Sequence, residues 1–232
     1  MKLALDFGLH CGWAAFDERC HYLLGAGTVG LGCSRKSCSI CRPTGRHLKT
    51  TGPLRRAERA DLWENWVGML NSVLFKCTEI TYEKVRRHNG VDWAHMYGGM
   101  EAMLELLAKR HKVTLTQTAV STWQANCNPT PPVHGKKVRV HAGTMPILGA
   151  PPPRQVFGVG SPPKHRYVAH VNALTGLALE ENQHDTAAAV GIGLSQFCNA
   201  SAADYRFKGI SRHFVTDLLS VEPEAKHEEI NR

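Results

Sequence analysis

The sequence predicts an α/β protein in which a mixed five-stranded sheet is flanked by helices, and three observations carry that prediction. β-Rich runs alternate with one-sided apolar stripes at helical spacing. The first three runs follow one another through short turns. The later two are each preceded by a helix long enough for a crossover to a parallel neighbour. With 232 residues and 43% hydrophobic content the chain can bury one sizeable core, so a single domain is predicted over residues 1–200. Insertions interrupt it at about 32–52 and 126–163, and 201–232 forms a C-terminal extension.

Lys2 to Asp6, Gly12 to Phe16 and His21 to Gly30 read as strands, separated by turn signals at Gly8–Gly12 and Asp17–Arg19, which makes a β-meander. A helix follows from Pro53, with Pro near its first turn and a stripe of Trp63, Trp66, Val67, Leu70, Val73, Leu74 and Cys77. The tryptophans on that stripe read as core. Glu79 to Val85 is the fourth strand, Ala94 to Arg110 a helix with Met96, Met100, Met103, Leu104 and Leu107 on one face, and Lys112 to Val120 the fifth strand. Nine prolines between residues 129 and 163 then break the rhythm as an insertion or long loop. Helical patterning resumes at Tyr167 to Leu179 and again at Asn182 to Cys198, whose Ala187, Ala188, Gly191 and Leu194 face is small enough to lie close on a sheet.

Net charge is +8, and its distribution says more than its total. No Asp or Glu occurs from Leu106 to Leu179 against nine Lys or Arg, and Arg35 to Arg59 holds eight basic residues against Glu58 alone. One such stretch is ordinarily a solvated face; two in a chain of this size favour a polyanion, for which nucleic acid is the natural candidate. No apolar run reaches the roughly 18 residues that span a bilayer, and the N-terminus enters a strand directly, so a cytoplasmic protein without a membrane partner is expected. Eight cysteines without a secretion signal argue for thiols or a metal site over a disulfide framework. Cys11, Cys20, Cys77, Cys127 and Cys198 are scattered and read as small buried hydrophobes.

Three acids stand at informative places: Asp6 in Leu3-Ala4-Leu5-Asp6-Phe7-Gly8, Glu83 in Tyr82-Glu83-Lys84-Val85, and Asp185 in Asn182-Gln183-His184-Asp185-Thr186-Ala187-Ala188-Ala189. Singly, each has a bland explanation, since a strand-end Asp caps turns and a strand Glu pairs with Lys. A sheet with the last helix laid across it could bring all three together, and hard oxygen donors suit magnesium. Phosphodiester hydrolysis is the chemistry such a set serves.

The order and spacing of these motifs, with Gly12-Trp13-Ala14 and Ala94-His95-Met96-Tyr97-Gly98-Gly99 between them, resembles the ribonuclease H-like superfamily. Within it they are similar to the RuvC-like Holliday-junction resolvases, particularly the short phage and bacterial forms. The likeness covers roughly residues 1–31, 54–124 and 160–199. It implies a ribonuclease H-like sheet, a homodimer acting on branched DNA, and two magnesium or manganese ions bound by Asp6, Glu83 and Asp185, about 4 Å apart as in other two-metal sites. The family's fourth acid falls at Asn182 here; Glu181, on a helix four residues before Asp185 and so on the same face, could complete the shell, and His184 could orient water or a phosphate. The resemblance also places Arg86 and Arg87 near the DNA branch point. Lys164, His165 and Arg166, opening a helix, form a second phosphate-contact set.

Cys33, Cys38, Cys41 and His47 form C-x4-C-x2-C-x5-H, three thiolates and an imidazole in a loop with little core of its own. A structural zinc ion or free loop thiols both satisfy that pattern. With zinc, the loop would offer Arg35 and Lys36 to DNA. Alternative functions are a related nuclease for flaps, forks or RNA–DNA hybrids, and a noncatalytic junction-binding protein. Sugar-kinase-like and actin-like ATPases share the early Asp-x-Gly but need a second lobe for which 232 residues leave little room.

Overall fold

The computed structural model describes residues 1–32, 56–84, 91–127, 165–198, 206–216 and 218–219. Strands β1 (Lys2–Asp6), β2 (His10–Phe16) and β3 (Tyr22–Gly30) form the expected antiparallel meander. Asp17 closes the β2–β3 turn: its carboxylate accepts the backbone N–H of Tyr22 at 2.6 Å and of Arg19 at 3.3 Å, and Cys20 takes a left-handed φ of 59°. Helix α1 (Arg56–Asn71) and a 3₁₀ turn (Leu74–Lys76) lead to β4 (Glu79–Lys84), parallel to β1. Helix α2 (Val91–His111) then leads to β5 (Thr114–Ala119), parallel to β4.

Sheet order is β5-β4-β1-β2-β3-β6, so a ribonuclease H-like arrangement of three antiparallel strands and two parallel ones gains a sixth member. That strand, β6 (Gly209–Val215), pairs parallel to β3 and comes from the stretch past residue 200 that the sequence set apart as an extension. Gly25 and Gly27 make room for it. A side chain at either would press on the backbone carbonyl of Val215 or Thr216, at 2.5 and 2.9 Å.

Each face of the sheet carries its own core. On one, α1 and α2 pack Leu62, Trp66, Leu70, Met96, Met100 and Leu104 against Leu3, Leu5, Trp13, Ile80 and Tyr82. The two helices are pinned by the Trp66 indole N–H, which donates to the Met100 carbonyl at 2.9 Å. Opposite lie α3 (Val120–Cys127), α4 (His165–Thr175) and α5 (His184–Phe197). There Ala187, Ala189, Val190 and Leu194 meet Ala4, Ala14, Phe16 and Leu23. The small-residue face of the last helix does what its sequence predicts.

Boundaries differ where local hydrogen bonding overrides periodicity. Helix α4 stops at Thr175, not Leu179, because Gly176 at φ 77° bonds back to the Asn172 carbonyl while the Asn172 side chain holds both backbone groups of Leu179 at 2.9 Å. Helix α3 follows β5 without a break, within a segment read as the strand's end and the start of the insertion. Cys11, Cys20, Cys77 and Cys198 are buried free thiols, as expected of small hydrophobes.

His170 on α4 has a buried Nε2 without a hydrogen-bond partner among the described residues, and burial pulls its pKa below the ordinary 6.5. A histidine whose folded pKa is depressed contributes nothing adverse above its unfolded value and costs stability as pH falls beneath it. Thermal unfolding followed by circular dichroism should therefore show the melting temperature falling below about pH 6.5, and His170→Leu should flatten that decline. Parallel profiles for the two proteins would contradict it.

Candidate active site

Strand register brings the three acids to one end of the sheet. In the parallel β1–β4 pair Leu5 lies beside Tyr82, which sets Asp6 alongside Glu83. Alternation fixes the face. Leu3, Leu5 and Phe7 point into the α1/α2 core, as do Ile80 and Tyr82, so Ala4, Asp6, Thr81 and Glu83 belong to the other side. There Thr81 hydrogen-bonds Thr118 at 3.0 Å, and the Thr118 hydroxyl donates to Gln196 of α5 at 3.2 Å.

Asp185 arrives through Gly12. In the β1–β2 register Asp6 pairs with Gly12, and the first turn of α5 lies so close on that glycine that a Cβ there would strike the Asp185 carbonyl. The Thr28 and Thr186 hydroxyls, 2.7 Å apart, fasten the same turn to β3.

The hydroxyl of Tyr97 donates to the Phe7 carbonyl at 2.8 Å, just past the end of β1. Burial foremost, then the carboxylates of Asp6 and Glu83, the Cys11 thiol and the Asp185 carboxylate push its pKa well above the usual phenol range. Buried Cys11 is raised too, by burial and then by Asp6 and Asp185. Trp123 donates its indole N–H to Glu83 Oε1 at 3.1 Å, and His184 Nε2 stands 3.2 Å from Asp185 Oδ1.

Three carboxylates offer only hard oxygen donors, the set that magnesium or manganese takes, and Glu83 and Asp185 each keep a second oxygen beyond these contacts. In donor chemistry the residues fit such an ion. In position they do not form a closed cage: among the described residues no three Asp, Glu, His or Cys side chains are grouped closely enough to hold one.

Glu181 requires a correction. Helix α5 starts at His184, after a turn in which the Gln183 N–H bonds to the Glu180 carbonyl at 2.9 Å and the Gln183 side chain accepts the Glu180 N–H at 2.7 Å. Glu181 sits exposed in that turn, so helical spacing does not set it on the Asp185 face. His184 is beside Asp185, as its position implies. Cys33, Cys38, Cys41, His47, Arg35, Lys36, Arg86, Arg87 and Lys164 lie outside the described residues, as do the side chains of His165 and Arg166 on α4. Tyr97 and Trp123 are contributors that the sequence did not assign. Tyr97 lies inside a motif already singled out, whereas Trp123 had only one signal, a lone large aromatic in the polar run Ser121–Asn126.

No family model and no curated protein matches the chain. Among solved structures it aligns with Thermus thermophilus RuvC in complex with a Holliday junction substrate at 11% identity and with another Thermus thermophilus RuvC structure at 12%. Each alignment covers 82% of this chain and 89% of the other, with a TM-score of 0.44. Strand order and register, not this overlap, carry the fold assignment.

Proposed function

We propose that this chain is a metal-dependent endonuclease that cuts branched DNA, with four-way junctions as its preferred substrate. The placement of Asp6 beside Glu83 by the β1–β4 register, with the Asp185 turn laid on Gly12, the partner of Asp6 on β2, carries the reading. Motif order supports the junction as substrate, and the two basic stretches support a polyanion. Magnesium or manganese held by these acids would supply an activated water and neutralise charge on the leaving oxygen. Trp123 keeps Glu83 oriented, Tyr97 fixes the end of β1 through the Phe7 carbonyl, and the His184 ring stands beside Asp185. Arg35, Lys36, Arg86, Arg87, Lys164 and Arg166 neutralise phosphates, so binding weakens steeply with salt. A homodimer would present two such sites to a two-fold junction.

The deciding experiment compares a labelled immobile four-way junction with matched duplex, flap and RNA–DNA hybrid, in magnesium and in EDTA. Paired symmetric nicks confined to the junction and absent in EDTA are expected. Preference for flap or hybrid would keep the chemistry and replace the substrate. Tight binding without any cut in magnesium or manganese would leave a binding protein on a nuclease fold.

Trp123→Phe tests the orientation of Glu83. Losing the indole donor should reduce cleavage by about tenfold and raise the magnesium needed for half-maximal rate, with junction affinity unchanged. Unaltered cleavage and magnesium dependence would remove Trp123 from the site.

A further inference from the structure

At the opposite end of the sheet, where β1 begins, a cleft of about 460 Å³ opens beside the β2–β3 turn. That volume accommodates a small-molecule ligand. Its lining is rich in cations, with Lys2, Arg19 and Arg206 beside His21 and the acid Glu18, which is held by the Met1 ammonium at 3.0 Å and the Thr78 hydroxyl at 2.7 Å, while the Lys2 ammonium is itself paired with Glu79 at 3.0 Å. Cys20, though only 2% exposed, forms part of the wall. Behind it, Cys198 at the end of α5 donates its thiol to the Cys20 carbonyl, 3.3 Å away, and the Cys20 thiol reaches the Glu18 carbonyl at 3.9 Å.

We propose that Cys20 and Cys198 form an oxidisable dithiol, with Cys20 as the attacking thiol and Cys198 as the resolving one, and that the cationic cleft selects small anionic disulfides as the oxidant. The site is independent of the acids at the far end of the sheet. The neighbouring Cys198 side chain foremost and, against the effect of burial, the nearby Lys2 ammonium hold the Cys20 thiol below its ordinary range. Cys198, beside Cys20 and buried, is pushed far above it. A thiolate in electropositive surroundings next to a second thiol is the arrangement that redox-sensitive cysteines use. The Cys20 thiolate attacks one sulfur of the oxidant, the oxidant's S–S bond breaks, and the departing thiolate takes up a proton. Cys198 then loses its proton, attacks the Cys20 sulfur of the mixed disulfide and releases the second thiol. In sum two protein thiols become one disulfide and the oxidant is reduced to two thiols.

The test incubates the reduced full-length chain with glutathione disulfide, an anionic probe, or with cystamine, a cationic one. Free thiols are then blocked, and linked peptides are mapped by mass spectrometry. Each rate is divided by that reagent's rate with an unstructured cysteine peptide. The Cys20–Cys198 peptide should be the first product, and Cys198→Ser should trap glutathione on Cys20. The normalised rate should favour glutathione disulfide by about tenfold, an advantage that shrinks in high salt and in Arg19→Ala/Arg206→Ala. Should the serine variant not fold, the wild-type peptide map still decides. A first link involving Cys33, Cys38, Cys41 or Cys127, no Cys20–Cys198 link, or a normalised rate equal to or below that of cystamine would overturn the proposal.

Discussion

Asp6→Asn is expected to lower junction cleavage by on the order of 10²- to 10³-fold or more, while junction affinity in magnesium-free buffer stays within about twofold. The substitution keeps the size of the side chain and one carbonyl oxygen but removes the charge. Asp6 has the central position in the site: Glu83 is level with it on β4, and Gly12, which carries the Asp185 turn, is its partner on β2. A hard divalent ion favours carboxylate over amide oxygen, so the loss falls on chemistry. Binding rests on cations contacting phosphate, to which the loss of one negative charge is neutral or helpful. The near-isosteric substitution should leave the melting temperature largely unchanged. Single-turnover cleavage beside a binding isotherm and a melting curve separates these effects. Full cleavage by the variant would remove the acid cluster from the chemistry, and a collapsed melting temperature would assign Asp6 to the scaffold.

Most of the fold was legible because its signals are local. The β-rich run Lys2–Asp6 with its following turn and the Trp66–Leu70 stripe are such signals, and both appear where the patterns put them. What escaped is set by tertiary contact. Strand β6 has the mixed burial of an edge strand and announces itself only through Gly25 and Gly27, glycines inside a strand that mark a close backbone neighbour. Helix α3 directly continues β5, and its Trp123 is buried by Tyr167 from a helix some forty positions later in the chain. In the site, Asp6, Glu83 and Asp185 could be named from their motifs, yet the sequence did not reveal Trp123 as the donor to Glu83 or Tyr97 as the donor to the Phe7 carbonyl. The helical placement of Glu181 failed for a local reason: α5 begins only after the Glu180–Gln183 turn, so helical spacing does not extend back through it.

Gly12→Ala should couple that fold to the chemistry more sharply than any change in an acid. The added methyl would strike the Asp185 carbonyl and lie 3.2 Å from the Thr186 nitrogen, both backbone atoms that no rotamer change can move aside. Helix α5 cannot simply slide, because its buried face is wedged along β1 and β2 and its first turn is tied down by the Thr28–Thr186 hydroxyl bond. The turn must lift. Overpacking of this kind costs about 1–3 kcal/mol, a fall in melting temperature of roughly 2–12 °C for a domain of this size. The lift carries Asp185 away from Asp6 and Glu83, and a displacement near 1 Å in a reacting constellation costs on the order of 10²-fold in rate. Gly68→Ala is the matched control. Gly68 lies on the exposed side of α1 with nothing within 4 Å of an added Cβ, so the same methyl should leave cleavage unchanged and stabilise the chain by about 0.4–1 kcal/mol. Melting temperatures moving in opposite directions, with cleavage lost only in Gly12→Ala, would establish the close approach of α5 to β2 as the feature that positions Asp185. Equal melting temperatures for the two variants would mean that α5 does not rest on Gly12.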